Sequence, residues 1–373
     1  MFREVTLHND LLFAMAVLWA LSFVAALLDR SAKLARIGIV VGCICGIVAC
    51  LTSVAGPAPV SSFGFRLSDT LVGFRVDAGG DWLLLFGLLP ALFAAGLNTT
   101  ASSKPANRYW LAGLAMTLLG ALGVFGLQDS MSFLIAWEVM SVGGAVMILG
   151  EAISTRTGSP MLFMLSLLEV GAVAILLVLL LLVHYAGSCT FTAFASPGAI
   201  STSGTLIAGL LLLFGFGAKL GVLPFYEWFP AAYGSGSGAT GAIFSGIVLN
   251  AAFYALARGI LEWLPRAGVW TTAVAIVLII AGVLTAILAI FNAFQEEDWR
   301  RMLSLSSAEN AGVAVAVLGT SLLFAANGMP GPAGLAWIVC LLHLAAHSLA
   351  KSTLFLSADG VYIANESYLI RQT

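Results

Sequence analysis

Charge is the scarcest commodity in this sequence. Among 373 residues, Lys and Arg number 16 and Asp and Glu 18, so 9% of the chain is charged. A soluble domain carries about 25%. Apolar residues make up 60% and the mean hydropathy is +1.03. A water-soluble globule must keep a polar skin, so this composition excludes a cytosolic or secreted enzyme and points to a polytopic membrane protein. A net charge of −2 is too small to imply nucleic acid or an acidic ligand. Cysteine is sparse as well. Cys43, Cys45 and Cys50 share one apolar run, where the thiol packs as a small hydrophobe, and Cys189 and Cys340 stand apart. A metal site would need ligands converging from more than one segment. There is no cysteine framework for iron–sulfur and no Rossmann fingerprint, so no cofactor is expected in this chain. GSGSGATG at 234–241 lacks the Lys-Ser/Thr of a phosphate cradle and reads as a tight, flexible connection between spans. Alternating strands with regular turns are missing, which excludes an outer-membrane barrel. The opening MFREVTLHND is mixed in charge ahead of a full-length apolar run, so no cleavable signal is expected.

What is present is a series of apolar runs. A spanning helix needs about 20 such residues. Eleven runs qualify, over 10–28, 36–54, 82–98, 108–127, 130–150, 160–184, 204–225, 238–262, 269–294, 305–325 and 333–357. The fold class is therefore all-α and polytopic. Between the second and third runs, SSFGFRLSDTLVGFRVDAGGDW alternates and is rich in Gly and Asp, which predicts an extramembrane hairpin. Arg30, Lys33, Arg36, Lys104, Arg108, Arg156, Arg300 and Arg301 fall on one side, against Arg3, Arg66, Arg75, Arg258 and Arg266 on the other. That bias places the N-terminus outside and the C-terminus inside.

A charge at the bilayer centre costs on the order of 3 kcal/mol. One is kept there only if it is paired, hydrated or useful. Glu138 sits nine residues into the fifth span and Glu169 about nine into the sixth. Lys219 lies among Gly215, Gly217 and Gly221, five residues before Pro224. Gly and Pro together predict a broken helix, a common build for an ion path beside a buried charge. The alternative is a lysine that snorkels to the interface. His343, His347 and Lys351 recur at four-residue spacing on one helix face. A metal would need further ligands, whereas a row of titratable groups suits a proton relay. Glu309 and His184 fall near span ends, where structural roles are expected.

These elements together resemble the antiporter-like proton-translocating subunits of respiratory complex I and related membrane-bound hydrogenases. WEVMS is similar to the family's fifth-helix signature, with Glu138 as its acid. GAKLGVLPFYEWFP resembles the element that carries its buried Lys, here Lys219. SGIVLNAAFYALAR is similar to the eighth helix, EEDWRRMLSLSSAENAGV to the start of the tenth, and LLHLAAHSLAKSTLFLSADGV to the eleventh. SPMLFMLSLLEVGA followed by GSCTFTAFA looks most like the large membrane subunit of hydrogenase-4 and formate hydrogenlyase. The sequence departs from the family in three ways. The family's central Lys on the eighth helix falls at Asn250. Two motif histidines are Tyr226 and Tyr233. The chain ends after the eleventh helix, as a fragment, half of a split gene or a reduced paralogue would.

The resemblance implies an inverted-repeat fold with its second repeat incomplete: three N-terminal helices over 1–105, a first five-helix repeat over 106–265 and a partial second repeat over 266–373. It implies a bacterial or archaeal inner-membrane subunit, partnered by other membrane subunits and through them by a peripheral redox arm, that conducts protons through Glu138, Lys219, His343, His347 and Lys351. Asn250, Glu169 and Pro224 are possible relay or gate positions. Pairing of Glu138 with Lys219 would let the lysine alternately hold and release a proton. An amide at Asn250 orders water but takes up no charge. A pump, a non-pumping scaffold and a standalone cation or solute path all fit at this level.

Overall fold

The computed structural model describes residues 2–28, 32–52, 61–67, 70–97, 108–151, 158–194, 202–264 and 268–372. Eleven helices in it are long and apolar enough to cross a membrane. They are α1 (Phe2–Leu28), α2 (Lys33–Thr52), α3 (Ala78–Gly96), α4 (Arg108–Gly126), α5 (Ser130–Glu151), α6 (Gly158–Ala186), α7 (Thr202–Leu220), α8 (Gly238–Trp263), α9 (Val269–Ala293), α10 (Trp299–Ala326) and α11 (Pro330–Asn365). Between α2 and α3 the expected hairpin forms as β1 (Ser61–Leu67) paired antiparallel with β2 (Thr70–Phe74). Arg30, Lys104, Arg156 and Arg266, on which the orientation partly rests, lie outside the described residues. Arg258 is no free surface charge. It is buried and donates to the Leu127 carbonyl, Gln128 and Glu262.

α8 is the axis of the bundle and is buried from Gly238 through Ile260. α1, α2, α6, α9 and α11 turn apolar faces outward, as lipid-facing or subunit-facing surfaces do. Small residues allow the closest approaches. A Cβ on Gly120 would stand 2.5 Å from the backbone nitrogen of Met140, which is how α4 meets α5.

Two departures from helical regularity position the polar groups. α7 stops at Leu220, earlier than the apolar run suggested, because Gly221 takes a φ of +68° that a side chain would resist. Residues 221–227 then run as turns, with a cis Leu223–Pro224 peptide, into a short helix over Trp228–Tyr233. This is the broken helix expected from sequence. The Trp228 Nε1 caps the Ala218 carbonyl at 2.8 Å, and the Leu223 N–H donates to Thr285 Oγ1 at 3.0 Å. The backbone groups freed at the break thus find protein partners, as membrane depth requires. In α8, the stretches Phe244–Val248 and Gly259–Trp263 widen into π-helix. Such bulges are frequent at functional sites.

Candidate functional site: a polar row across the bundle

Lys219 is the last residue but one of α7. Its side chain is 3% exposed, which excludes the snorkelling alternative. The Nζ donates to the Trp137 carbonyl at 3.2 Å and to Ser141 Oγ at 2.7 Å. It also lies 4.0 Å from the centroid of the Trp137 ring. Trp137 and Ser141 are one turn apart, so a single face of α5 supplies all three contacts. Hydrogen bonds to a charged group contribute about 1.5–3 kcal/mol each, and a desolvated cation–π contact about 2. Together they offset part of the roughly 3 kcal/mol cost of the charge in the bilayer.

Glu138 does not close onto this ammonium. Among the described residues no ion pair involves Lys219. The pairing expected from sequence is therefore open here, because neutral acceptors on α5 hold the Nζ. The two groups still act on each other through space, and Glu169 acts on both. Glu169 lies on an exposed face of α6 beside Leu162, Phe163, Val170 and Val173. Inward of Lys219 is a void of about 10 Å³, lined by Ser141, Met164, Trp228, Phe244 and Val248 among others. That is roughly the room one water needs. It leads from α7 towards α8.

On α11, His347 and Lys351 are buried and His343 is half-buried. Both ring nitrogens of His347 and the Nε2 of His343 are buried without a protein hydrogen-bond partner. The Ser245 carbonyl, in the π-helical stretch of α8, faces His347. Buried polar groups of this kind take their hydrogen bonds from ordered water. The acid that acts on Lys351 is Glu309, which accepts from Asn310 Nδ2 at 2.6 Å. Asn250 lies fully buried on α8. It donates from Nδ2 to the Leu83 carbonyl at 2.9 Å, and its Oδ1 accepts from Ser348 Oγ at 3.2 Å. Pro224 sits in the break that follows α7.

One end of α8 is tied down by acids that the sequence reading passed over. The Asp359 carboxylate accepts from the N–H groups of Gly238 and Ala239 at 2.6 and 2.8 Å. Glu151 accepts from the Ser237 N–H at 2.7 Å, from the Ser237 hydroxyl and from Thr240 Oγ1 at 3.0 Å. Carboxylates at a helix N-terminus satisfy its free donors and complement its dipole. Tyr368 donates to Asp359 at 2.7 Å. Burial, with that carboxylate beside it, raises the Tyr368 phenol well above its ordinary range. The glycine-rich 234–241 segment is thus not a flexible connection, since its second half is the clamped first turn of α8. A Cβ at Gly238 would meet the Phe355 carbonyl at 2.0 Å, which is why glycine stands there.

Glu151 and Asp359 were missed because each lies near a span end, where a charge is unremarkable; Glu309 was expected on the same ground to be structural. His8 and Asp81, buried and 3.0 Å apart between α1 and α3, were missed because neither belongs to a repeating pattern. Among the described residues, no group of three His, Cys, Asp or Glu side chains could hold a metal ion.

Comparison with known proteins follows the same lines. An uncharacterized protein of Mycobacterium tuberculosis is 28% identical over 322 residues, covering 86% of this chain and 49% of that protein. Hydrogenase-4 component B of Escherichia coli is 26% identical over 347 residues, covering 90% of this chain and 50% of its own length. The chain therefore spans about half the length of these curated relatives. A chain of the archaeal membrane-bound sulfane sulfur reductase, a respiratory membrane complex, superposes with a TM-score of 0.82 at 16% identity, covering 98% of this chain and 73% of that one. At that identity the likeness is one of fold. Residues 128–373, more than half of the chain, match the family described as NADH:quinone oxidoreductase/Mrp antiporter, TM, and the chain belongs to that family.

Proposed function

We propose that this chain is a proton- or cation-conducting membrane subunit of a redox-driven complex of the NADH:quinone oxidoreductase or membrane-bound hydrogenase kind. The observation that carries this reading is the setting of Lys219: buried, held by neutral acceptors, and within the field of Glu138 and Glu169 without touching either. A negative Glu138 favours the ammonium. A Glu138 that has taken up a proton withdraws that support, and Lys219 then releases its own proton towards the adjoining void. The break at Gly221–Glu227 is the element able to move between the two arrangements. His343, His347 and Lys351, with Glu309 as the acid nearby, continue the row on α11.

Glu169 is the port to a neighbour. A carboxylate on an open mid-span face costs about 3 kcal/mol against lipid, so this face of α6 is assigned to contact with another membrane subunit. Electron transfer occurs in a peripheral redox arm reached through such subunits, not in this chain. The division into 1–105, 106–265 and 266–373, with the N-terminus outside and the C-terminus inside a bacterial or archaeal inner membrane, completes the reading.

The test is ion flux in proteoliposomes carrying the assembled complex. Lys219→Ala is expected to lower proton flux at least about tenfold with the complex intact; undiminished flux would sink the proposal. The locking of Asn250 favours one other reading, a non-pumping scaffold. It requires that Glu138→Gln leave coupling unchanged while deletion of the chain disperses the complex.

A further inference from the structure

One polar connection leads away from Asn250 towards the edge of the protein. Asn250, Tyr254 and Arg258 follow at four-residue spacing on α8 and share one face. Tyr254 is 4% exposed, and its hydroxyl donates to Asp77 Oδ2 at 2.9 Å. Asp77 is the N-cap of α3, where its Oδ1 accepts from the Gly80 N–H at 2.7 Å. Unlike Tyr254 and Asn250, Asp77 is only half-buried. It lies where β2 hands over to α3, at the end of the bundle opposite the Glu151–Asp359 clamp. Two hydrogen-bonded pairs, Ser348 with Asn250 and Tyr254 with Asp77, thus stand one turn of α8 apart, the first at the buried row on α11 and the second at the rim of the protein.

We propose that Tyr254 and Asp77 are the route by which the region around Asn250 exchanges protons with the aqueous phase on the face where α3 begins. The proposal rests on the conducting role given above.

The chemistry suits the two residue types. Tyr254 passes its hydroxyl proton to the Asp77 carboxylate as it accepts one from a hydronium ion arriving on its Asn250 side, so the phenol is regenerated, the carrier returns to water and the carboxylate becomes neutral. Asp77 then gives the proton to solvent. Asn250 has no proton to lose; its Oδ1 stands 3.2 Å from Ser348 Oγ, whose hydroxyl also has the Leu344 carbonyl at 2.8 Å. The charged groups facing Tyr254 are Asp77 from α3 and Arg258 and Glu262 from its own helix. Arg258 is occupied by Leu127, Gln128 and Glu262, so it sets the local field and carries no proton. The neighbouring His8–Asp81 pair is enclosed between α1 and α3 and serves as a brace.

The experiment is potential-driven proton flux in proteoliposomes that carry the assembled complex, read with an entrapped pH dye across a range of external pH. The variants are Tyr254→Phe, Asp77→Asn and Asp77→Glu, with Lys219→Ala alongside. Asparagine caps a helix as well as aspartate does, so Asp77→Asn keeps α3 and removes only the proton acceptor. The expected result is a drop of at least about tenfold in both Tyr254→Phe and Asp77→Asn, with Asp77→Glu restoring flux at a displaced pH optimum. Flux equal to the parent in Tyr254→Phe and Asp77→Asn, with Lys219→Ala silent, overturns the route and leaves the conducting role standing. Flux lost in the first two but kept in Lys219→Ala supports the route and overturns the role given to Lys219. Flux unchanged in all of them overturns both.

Discussion

The side-chain amide of Asn250 is clamped to the backbone of α3, its Nδ2 donating 2.9 Å to the carbonyl of Leu83. With Ser348 on its Oδ1, the amide ties α3, α8 and α11 at a point where the resemblance implies a lysine. Asn250→Ala removes the amide's bond to the Leu83 carbonyl and leaves the space it filled empty, while the Ser348 hydroxyl keeps the Leu344 carbonyl at 2.8 Å. The expected loss is about 2 kcal/mol of stability, seen as a lower melting temperature in detergent and a weakened association of α3 with α8 in cross-linking.

Ser141 and Trp137 share the Lys219 ammonium. Ser141→Ala removes the shorter of its two hydrogen bonds, a loss of about 1.5–3 kcal/mol of support for the charged form. Proton flux in this variant should fall below that of the parent, because the ammonium has lost its shorter hydrogen bond, and should stay above that of Lys219→Ala. A flux measurement on reconstituted complex checks both points.

Glu169→Leu should separate fold from assembly. The side chain is exposed on α6, so folding of the isolated chain should be unchanged or slightly improved. If a neighbouring subunit covers that face, native gel electrophoresis should show less assembled complex, and flux should fall with it.

Gly238→Ala should be among the most damaging single-methyl changes in the protein. The new Cβ would stand 2.0 Å from the Phe355 carbonyl and 2.8 Å from an Asp359 oxygen. Overpacking of this kind typically costs about 1–3 kcal/mol. Thermal denaturation in detergent should reveal it, whereas Gly360→Ala, where nothing stands within 4 Å, should be neutral.

Sequence reading succeeded where a single physical rule governs. The lipid core sets the length of an apolar run, so all eleven helices could be counted. A charge in such a run is costly, so Glu138, Lys219, His347 and Lys351 stood out against their surroundings. It failed where three-dimensional partners decide the outcome. Nothing in the order of residues says that Lys219 would take the Trp137 carbonyl in preference to the Glu138 carboxylate. Nor does it say that Asp359 would reach the first turn of α8 from 121 residues away. The Tyr254–Asp77 contact joins residues 177 apart. Glycine-rich 234–241 was misread because glycine marks both a loose connection and a place too tight for a side chain.

The anchoring of α8 has a mechanical meaning. Glu151 from α5 and Asp359 from α11 both grip its first turn, and those helices carry Glu138 and the His347–Lys351 pair. Its other end is held too, by Arg258 on Leu127 and Gln128 and by Tyr254 on Asp77. A rod pinned at both ends cannot slide lengthwise, so any rearrangement must be a bend or a twist between the pins. The π-helical stretch Phe244–Val248 lies in that interval and is the place where such a change would be absorbed.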